Sequence, residues 1–282
     1  MQPDRRFEGR PRPEASPDRP ARADTGTGRH IRVAAVGDLH VDASRRGSLT
    51  DVVAGVNAGA DYLCLCGDLT YSGKYEQGLA LVEGLKGVEI PIIAVLGNHD
   101  HEAGADDDMT RAMTDAGIHV LDGDGIVLQG VGFVGTKGFV GGFGRHSLAP
   151  FGETALKAFV QTAIDESLRL ENALRNLDTP IKIALLHYAP IAATVMGEPE
   201  QIYPFLGSSR FLPPLEMHGT SVVFHGHAHH GSLEGMTPAG IPVFNVAYPL
   251  LRAHGMHVRI WTCDAPERRG TGTAATETHA AD

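Results

Sequence analysis

The stretch that decides the fold runs from Ile31 to His40 and reads Ile-Arg-Val-Ala-Ala-Val-Gly-Asp-Leu-His. Its first six residues are mostly small or β-branched and apolar, which is typical of a strand buried on both faces of a parallel sheet. Two similar runs follow, Tyr62–Cys66 and Ile92–Leu96, with segments of helical length at about 49–58 and 74–86 between them. This β-α-β-α-β order predicts parallel strands joined by right-handed crossovers.

The rest of the chain continues the alternation of apolar runs and helical segments. We expect helices at about 106–116 and 152–177, and strands near 118–121, 125–129, 131–136, 181–186, 221–225, 241–247 and 256–262. Residues 1–29 are rich in Pro, Arg, Asp and Gly, and residues 264–282 are rich in Thr, Ala and Gly. Such segments bury too little apolar surface to offset the entropy of ordering, so both are predicted to be disordered tails. One folded domain is therefore predicted over residues 30–263.

Composition restricts the kinds of partner. The chain has 282 residues, of which 42% are hydrophobic, and a formal net charge of −10. This acidic balance disfavours general nucleic-acid binding, and with it a DNA nuclease. The three cysteines form no disulfide framework, and no apolar stretch has the length of a membrane span or the form of a secretory signal. The expected location is the cytoplasm.

Polar residues able to bind a metal follow each predicted parallel strand. They are Asp38 and His40 after the first run, Asp68 after the second, Asn98, His99 and Asp100 after the third, His187 after the fourth, and His227 and His229 after a later one. The carboxyl ends of parallel strands meet at one edge of a sheet, where sites form in open α/β folds. The sequence therefore predicts one cluster assembled from five places.

The residue types and spacing of this cluster have a chemical meaning. In an extended segment alternate side chains point the same way, so both Asp38-x-His40 and His227-x-His229 are expected to present two ligands to one side. Carboxylate, carboxamide and imidazole ligands together favour Mn, Fe or Zn over Ca or Mg. A set of Cys ligands is missing, which argues against a structural zinc site.

The motifs Asp38-x-His40, Gly67-Asp68, Gly97-Asn98-His99-Asp100, His187 and Gly226-His227-x-His229, in this order, resemble the five signature motifs of the calcineurin-like metallophosphoesterases. The resemblance implies a four-layer α/β/β/α sandwich with two mixed β-sheets and the metal site at the C-terminal ends of the strands. It further implies two divalent or trivalent metal ions. The implied ligands are Asp38, His40 and His229 for the first ion, Asn98, His187 and His227 for the second, and Asp68 as a bridge. His99, held by Asp100, would stabilise the transition state or protonate the leaving oxygen.

The implied activity is hydrolysis of a small phosphate ester by attack of a metal-bound hydroxide. Protein phosphatases of the family carry an Asp-Arg-Gly shortly after Gly-Asp, whereas this chain reads Gly67-Asp68-Leu-Thr-Tyr-Ser-Gly73. That form is similar to the bacterial phosphodiesterases, including the class III cyclic-nucleotide enzymes. We therefore expect a phosphodiesterase. The alternatives are a phosphomonoesterase, a nucleotide or lipid pyrophosphate hydrolase, and a metal-binding scaffold that has lost catalysis.

Two segments are candidates for shaping the substrate pocket. Residues 138–147 form a Gly-rich loop in which Arg145 is a candidate to pair with a phosphate, and the favoured alternative is a surface loop with buried aromatics. Residues 188–215 form a Pro- and aromatic-rich insertion, interpreted as a cap over the site, a homodimer contact or ordinary packing. The remaining polar neighbours of the motifs are expected to support the ligands or to lie at the surface, not to bind metal; they are Asp42, His101, His225 and His230.

Overall fold

The computed structural model describes residues 30–42 and 49–265. The tails predicted at 1–29 and, apart from Asp264 and Ala265, at 264–282 lie outside these residues. The last strand extends through Asp264, one residue beyond the predicted end of the folded domain.

Eleven strands form two sheets among the described residues. In chain order they are β1 His30–Val36, β2 Tyr62–Cys66, β3 Ile92–Val95, β4 Ile118–Val120, β5 Asp124–Leu128, β6 Val131–Gly135, β7 Ile181–Leu185, β8 Val222–His225, β9 Glu234–Met236, β10 Pro242–Asn245 and β11 Arg259–Asp264. The first sheet has the order β11-β1-β2-β3-β4 and the second β5-β6-β7-β8-β10-β9. Every strand predicted from the sequence is present within a few residues, while β9 was not predicted.

Each sheet is parallel in its centre and antiparallel at an edge. Strands β1 to β4 pair in parallel, and β11 closes the sheet antiparallel to β1. In the second sheet β6, β7, β8 and β10 are parallel, with β5 and β9 antiparallel at the two edges. The predicted β-α-β-α-β unit is confirmed, and both sheets are mixed as expected.

The helices lie outside the sheets. They are α1 Thr50–Asn57, α2 Tyr75–Leu85, α3 Asp106–Asp115, α4 Thr154–Arg175, α5 Leu212–Met217 and α6 Tyr248–Ala253. Buried apolar residues of the first three helices join the core of the first sheet, whereas Leu170 and Leu174 of α4 pack against Val134 and Ala184 of the second. The two sheets pack on each other through residues such as Phe133. The predicted four-layer α/β/β/α sandwich is confirmed, although the short helices α5 and α6 were not anticipated. None of the helices in the described ranges is long and apolar enough to cross a membrane.

Candidate metal centre

The structure brings the polar strand ends together in three overlapping groups. In each group the candidate ligand atoms lie within 4.8 Å of one another. The groups are Asp38, His40 and His229; His40, Asp68 and His99; and Asp68, His187 and His227. Asn98 joins the third group, because its Oδ1 lies 2.9 Å from His187 Nε2. The residues singled out from five separate places in the sequence thus occupy one cleft.

Asp38 is held at the base of the first group. Its carboxylate, which is 2% exposed, accepts the backbone N–H of His227 and lies 3.0 Å from His229 Nε2. Burial raises the pKa of Asp38 to about 6, against the opposing effect of the His229 hydrogen bond. The same bond raises the pKa of His229. The pair therefore places a buried carboxylate in contact with an imidazole that is partly exposed to solvent.

His187 belongs to the third group, and its ring nitrogens face more oxygen acceptors than a single ring proton can satisfy. The ring is fully buried, which lowers its pKa well below the ordinary value and keeps it neutral, with a single N–H. Nδ1 lies 3.1 Å from the carbonyl oxygen of Cys66, and Nε2 lies 2.9 Å from Asn98 Oδ1 and 3.4 Å from Asp68 Oδ1. If Nδ1 donates to Cys66, the lone pair of Nε2 faces two oxygens. A cation satisfies that arrangement, whereas one proton cannot satisfy both ring nitrogens.

His227 is oriented from outside the motif. Its Nε2 lies 3.1 Å from the carbonyl oxygen of Phe205, which belongs to the inserted segment 188–215. Burial lowers the pKa of His227 to about 3, so the neutral ring donates to this carbonyl from Nε2 and leaves Nδ1 for another partner. The insertion therefore contributes a backbone contact to the candidate centre.

The reason given for the Asp-x-His spacing is wrong. Asp38, His40 and His227 have φ values of 53°, 44° and 70°, so these segments are left-handed turns beyond the strands, not extended chain. Asp38 and His40 still share a group, but His227 and His229 belong to different groups. The second motif thus places His229 with Asp38 and His40, the first half of the centre, and His227 with Asp68 and His187, the second half.

Asp68 lies between the two halves. Its Oδ1 accepts the backbone N–H of His99 at 2.8 Å and lies near His187, while its Oδ2 lies 3.9 Å from His99 Nε2. Its carboxylate is 2% exposed, and φ at this residue is 48°. Asp68 thus belongs to both the second and the third group.

His99 is held differently from the expectation. Its Nδ1 lies 2.7 Å from the carbonyl oxygen of Tyr71, which accepts the ring N–H, so Nε2 is the nitrogen turned toward Asp68. The Asp100 carboxylate instead accepts the backbone N–H groups of Leu69, Thr70 and Gly97 together with the Thr70 hydroxyl. The two residues are adjacent in the 3-10 turn His99–His101, where successive side chains diverge by about 120°. Asp100 thus joins the ends of β2 and β3 and does not orient the imidazole.

Glycines allow the close approach of the motifs. A Cβ at Gly97 would overlap the Asp68 carboxylate and backbone nitrogen, and a Cβ at Gly226 would overlap an Asp38 oxygen. Gly67 has φ of +78°, and a Cβ there would lie against the His187 ring. Each of these three motifs therefore requires glycine beside the candidate ligand.

A pocket of about 600 Å³ opens over one side of the centre. It is lined by His40, Asp42, Tyr71, His99 and His229. Tyr71 is 60% exposed at its rim and had not been anticipated from the sequence, which carries no signal for a backbone carbonyl that anchors a histidine. The described residues that line the pocket include no lysine or arginine.

The loop 138–147 packs against the insertion and does not line this pocket. Gly141 and Gly142 donate backbone hydrogen bonds to the carbonyl oxygens of Pro204 and Gly207, and Gly142 accepts one from Ser209. Phe143 packs in a small apolar cluster with Leu206. These contacts favour the interpretation of a loop with packed aromatics over one in which the loop binds phosphate.

The other histidines near the motifs have partners outside the candidate ligand groups. His101 pairs with Asp106 at 3.1 Å, and the backbone N–H of His230 donates to Glu198. His225 is fully buried, and burial lowers its pKa to about 4. These three histidines lie outside the three candidate ligand groups.

The residues present fit a metal centre. Electron-pair donors converge at His187, Asn98 and Asp68 without enough protons to bridge them. His40 Nδ1 is buried and has no hydrogen-bond partner of good geometry among the described residues. Carboxylate, carboxamide and imidazole donors suit Mn, Fe or Zn.

A layered α/β sandwich with this centre at its strand ends is the architecture of a metallophosphoesterase. The chain belongs to the calcineurin-like phosphoesterase family, whose sequence profile matches residues 31–231. The family uses divalent metal ions and hydrolyses phosphoesters, so the protein is classed as a metal-dependent phosphoester hydrolase.

Solved structures share the fold. The phosphopantetheinyl hydrolase of Mycobacterium tuberculosis superposes with a TM-score of 0.60 at 12% identity, covering 83% of this chain and 97% of that one. The protein TT1561 of Thermus thermophilus superposes with a TM-score of 0.51 at 17% identity, covering 83% and 98%. At these identities the likeness is one of fold. A direct comparison with curated proteins found no match.

Proposed function

We propose that the protein is a two-metal phosphodiesterase that acts on a small diester such as a cyclic nucleotide. The observation that carries the proposal is the pocket of about 600 Å³ over the candidate centre, in which the described lining residues include no Lys or Arg. A phosphodiester bears one negative charge, whereas a monoester bears close to two near neutral pH. A pocket whose described lining offers His and Tyr side chains, and no Lys or Arg for a second negative charge, favours the diester.

The proposed ligands follow the grouping of the side chains. They are Asp38, His40 and His229 for one ion, Asn98, His187 and His227 for the other, and Asp68 for both. When bound, two such ions polarise the phosphoryl oxygens and lower the pKa of a water molecule. Manganese or iron is the proposed metal, with zinc as the alternative.

The chain's own residues supply position and a proton. The Tyr71 carbonyl fixes the tautomer of His99 with its proton on Nδ1, so that Nε2 faces the centre. We assign Nε2, once protonated, to donate to the leaving oxygen as the ester bond breaks. His99 also lines the pocket, which is where we place the leaving group.

The main alternative is a phosphomonoesterase or a pyrophosphate hydrolase. Arg45 and Arg46 lie in the segment 43–48, directly after the pocket residue Asp42 and outside the described residues. Arginine binds phosphate dianions well, so these residues are the natural target for testing monoester use. Loss of monoester activity in an Arg45→Ala/Arg46→Ala variant would support this alternative.

The test compares two substrates with the same leaving group. Metal-stripped protein is assayed on bis(p-nitrophenyl) phosphate and p-nitrophenyl phosphate after addition of Mn²⁺, Fe²⁺ or Zn²⁺. We expect metal-restored cleavage, with kcat/KM for the diester exceeding that for the monoester. Faster cleavage of the monoester would replace the diester proposal with the phosphomonoesterase. Metal binding without activity on either ester would favour a scaffold.

A further inference from the structure

A buried polar network lies beneath the loop that carries two of the proposed ligands. It consists of His225, Thr194 and Asn245, which are 0%, 0% and 1% exposed. The loop, residues 226–231, contains His227 and His229. Buried polar groups are costly unless they are bonded, so a network of this kind constrains whatever it contacts.

The first contact joins the strand end to the insertion. His225 Nδ1 lies 2.8 Å from the carbonyl oxygen of Gly226, which can only accept, so the proton is on Nδ1. In the neutral ring Nε2 then accepts the proton of the Thr194 hydroxyl at 2.8 Å, a shorter contact than the 3.2 Å from the same hydroxyl to the carbonyl oxygen of Ile191. Thr194 belongs to the 3-10 helix Ala192–Val195 within the segment 188–215.

The second contact fixes the middle and the far end of the loop. The amide nitrogen of Asn245 donates to the carbonyl oxygens of Ala228 at 2.7 Å and Thr194 at 3.3 Å. The Thr194 carbonyl also accepts the backbone N–H of Ser232 at 3.1 Å. Thr194 therefore bonds through its side chain to the residue before the loop and through its carbonyl to the residue after it.

The loop closes tightly on this network. A Cβ added at Gly231 would overlap the Thr194 carbonyl oxygen and lie 2.9 Å from the amide nitrogen of Asn245. Ala228, between the two imidazoles, is itself fully buried. The loop thus has little freedom to move His227 or His229 independently of Thr194 and Asn245.

We propose that Thr194, His225 and Asn245 are positioning residues that hold His227 and His229 in the geometry needed to bind metal. The proposal rests on the proposed metal centre and assigns a role to the segment 188–215. That segment then acts on the centre twice, through Thr194 beneath the loop and through the Phe205 carbonyl on His227.

The test removes one hydroxyl and measures Mn²⁺ binding to the full-length protein. Thr194→Val keeps the shape of the side chain but removes the hydroxyl that contacts His225 Nε2, and Thr194→Ser restores the hydroxyl. Thr220→Val is the matched control, because Thr220 is also buried and its hydroxyl has no partner among the described residues. Free Mn²⁺ is followed by its electron paramagnetic resonance signal, and the metal-free proteins are compared by thermal unfolding.

We expect Thr194→Val to weaken Mn²⁺ binding by about 10- to 100-fold, as changes behind metal ligands do. Thr194→Ser should stay near wild type, as should Thr220→Val. Equal Mn²⁺ affinity in Thr194→Val and Thr220→Val would overturn the positioning role. So would a loss in Thr194→Val that Thr194→Ser shares in full.

A second variant covers the case in which Thr194→Val does not fold. His225→Gln removes the Nδ1 donor to Gly226 and should also weaken Mn²⁺ binding; an unchanged affinity overturns the role. Failure of the wild-type protein to bind Mn²⁺, Fe²⁺ or Zn²⁺ is a different result. It would overturn the proposed metal centre itself, and this inference with it.

Discussion

Replacing His99 by Gln should reduce the rate of bond breaking according to how poor the leaving group is. His99 lines the pocket and turns Nε2 toward Asp68, with Nδ1 fixed by the Tyr71 carbonyl. Glutamine can occupy similar space but cannot donate a proton as a general acid. A leaving oxygen that is stable as an anion needs little protonation, whereas an alkoxide needs it in the transition state.

The size of the effect follows from that difference. A positioned acid contributes about 10²- to 10⁴-fold, which is about 3 to 5 kcal/mol of transition-state stabilisation. We expect a loss in kcat of this size for a diester with an alcohol leaving group, and of about tenfold or less for a nitrophenyl diester. The side chain is 38% exposed but its bond to the Tyr71 carbonyl is lost, so its replacement should lower the free energy of unfolding by no more than about 1.5 kcal/mol.

The assay measures kcat and KM on a series of aryl and alkyl methyl phosphate diesters with leaving groups of increasing pKa. His101→Gln is the matched control. Its side chain is also 38% exposed and is two residues away, but it pairs with Asp106 and does not line the pocket. Metal content is measured in both variants, because His99 belongs to one of the three candidate ligand groups.

One result would refute the assignment directly. If His99→Gln lowered kcat equally for every leaving group while metal content stayed at the wild-type level, His99 would stabilise charge on the phosphoryl group and would not act as the acid. A fall in metal content parallel to the fall in kcat would instead make His99 a ligand.

Three further predictions concern the supports of the centre. Asp100→Asn, measured by denaturant unfolding, should lower the free energy of unfolding by about 3 kcal/mol, since about two of its four accepted bonds would face an NH2 group; no change would contradict that network. Gly97→Ala should displace Asp68 and reduce the bound metal measured by elemental analysis, and a variant that still bound metal normally would refute this steric argument. Removing metal with a chelator should abolish activity and lower the melting temperature. The expected fall is about 5 °C or more for each site, if the free metal concentration before removal was about 100 times the Kd of that site. An unchanged melting temperature would exclude tight metal binding.

The fold, and the identity of the residues that form the candidate site, were predictable because both depend on where the strands end. The apolar runs at Ile31–Val36, Tyr62–Cys66 and Ile92–Val95 are each followed within a few residues by glycine and a metal-capable side chain. In a parallel sheet these ends meet at one edge whatever the details of the loops. Local periodicity therefore carried enough information to gather Asp38, Asp68 and their partners into one cleft.

The orientation of the side chains was not predictable in the same way. The alternation rule applies to extended chain, but the φ values of 53° at Asp38 and 44° at His40 take these motifs out of it. Likewise, adjacency of His99 and Asp100 in sequence indicated a contact, while the 3-10 turn separates their side chains. A contact between a side chain and a backbone carbonyl, such as that of Tyr71, cannot be predicted from the residue types, because every residue has a carbonyl.

These carbonyl contacts make the two halves of the centre unequal. His187 and His227 each have one ring nitrogen beside a backbone carbonyl, of Cys66 and of Phe205, and neither ring lines the pocket. The imidazole rings that do line it belong to His40, His99 and His229. A substrate entering through the pocket would therefore meet His40, His99 and His229 first, beside Tyr71, while the insertion contacts His227 through the Phe205 carbonyl. Substitutions in the insertion should then weaken metal binding more than they change substrate preference. Substitutions of the Tyr71 side chain should instead change KM for the substrate and leave the metal content unchanged.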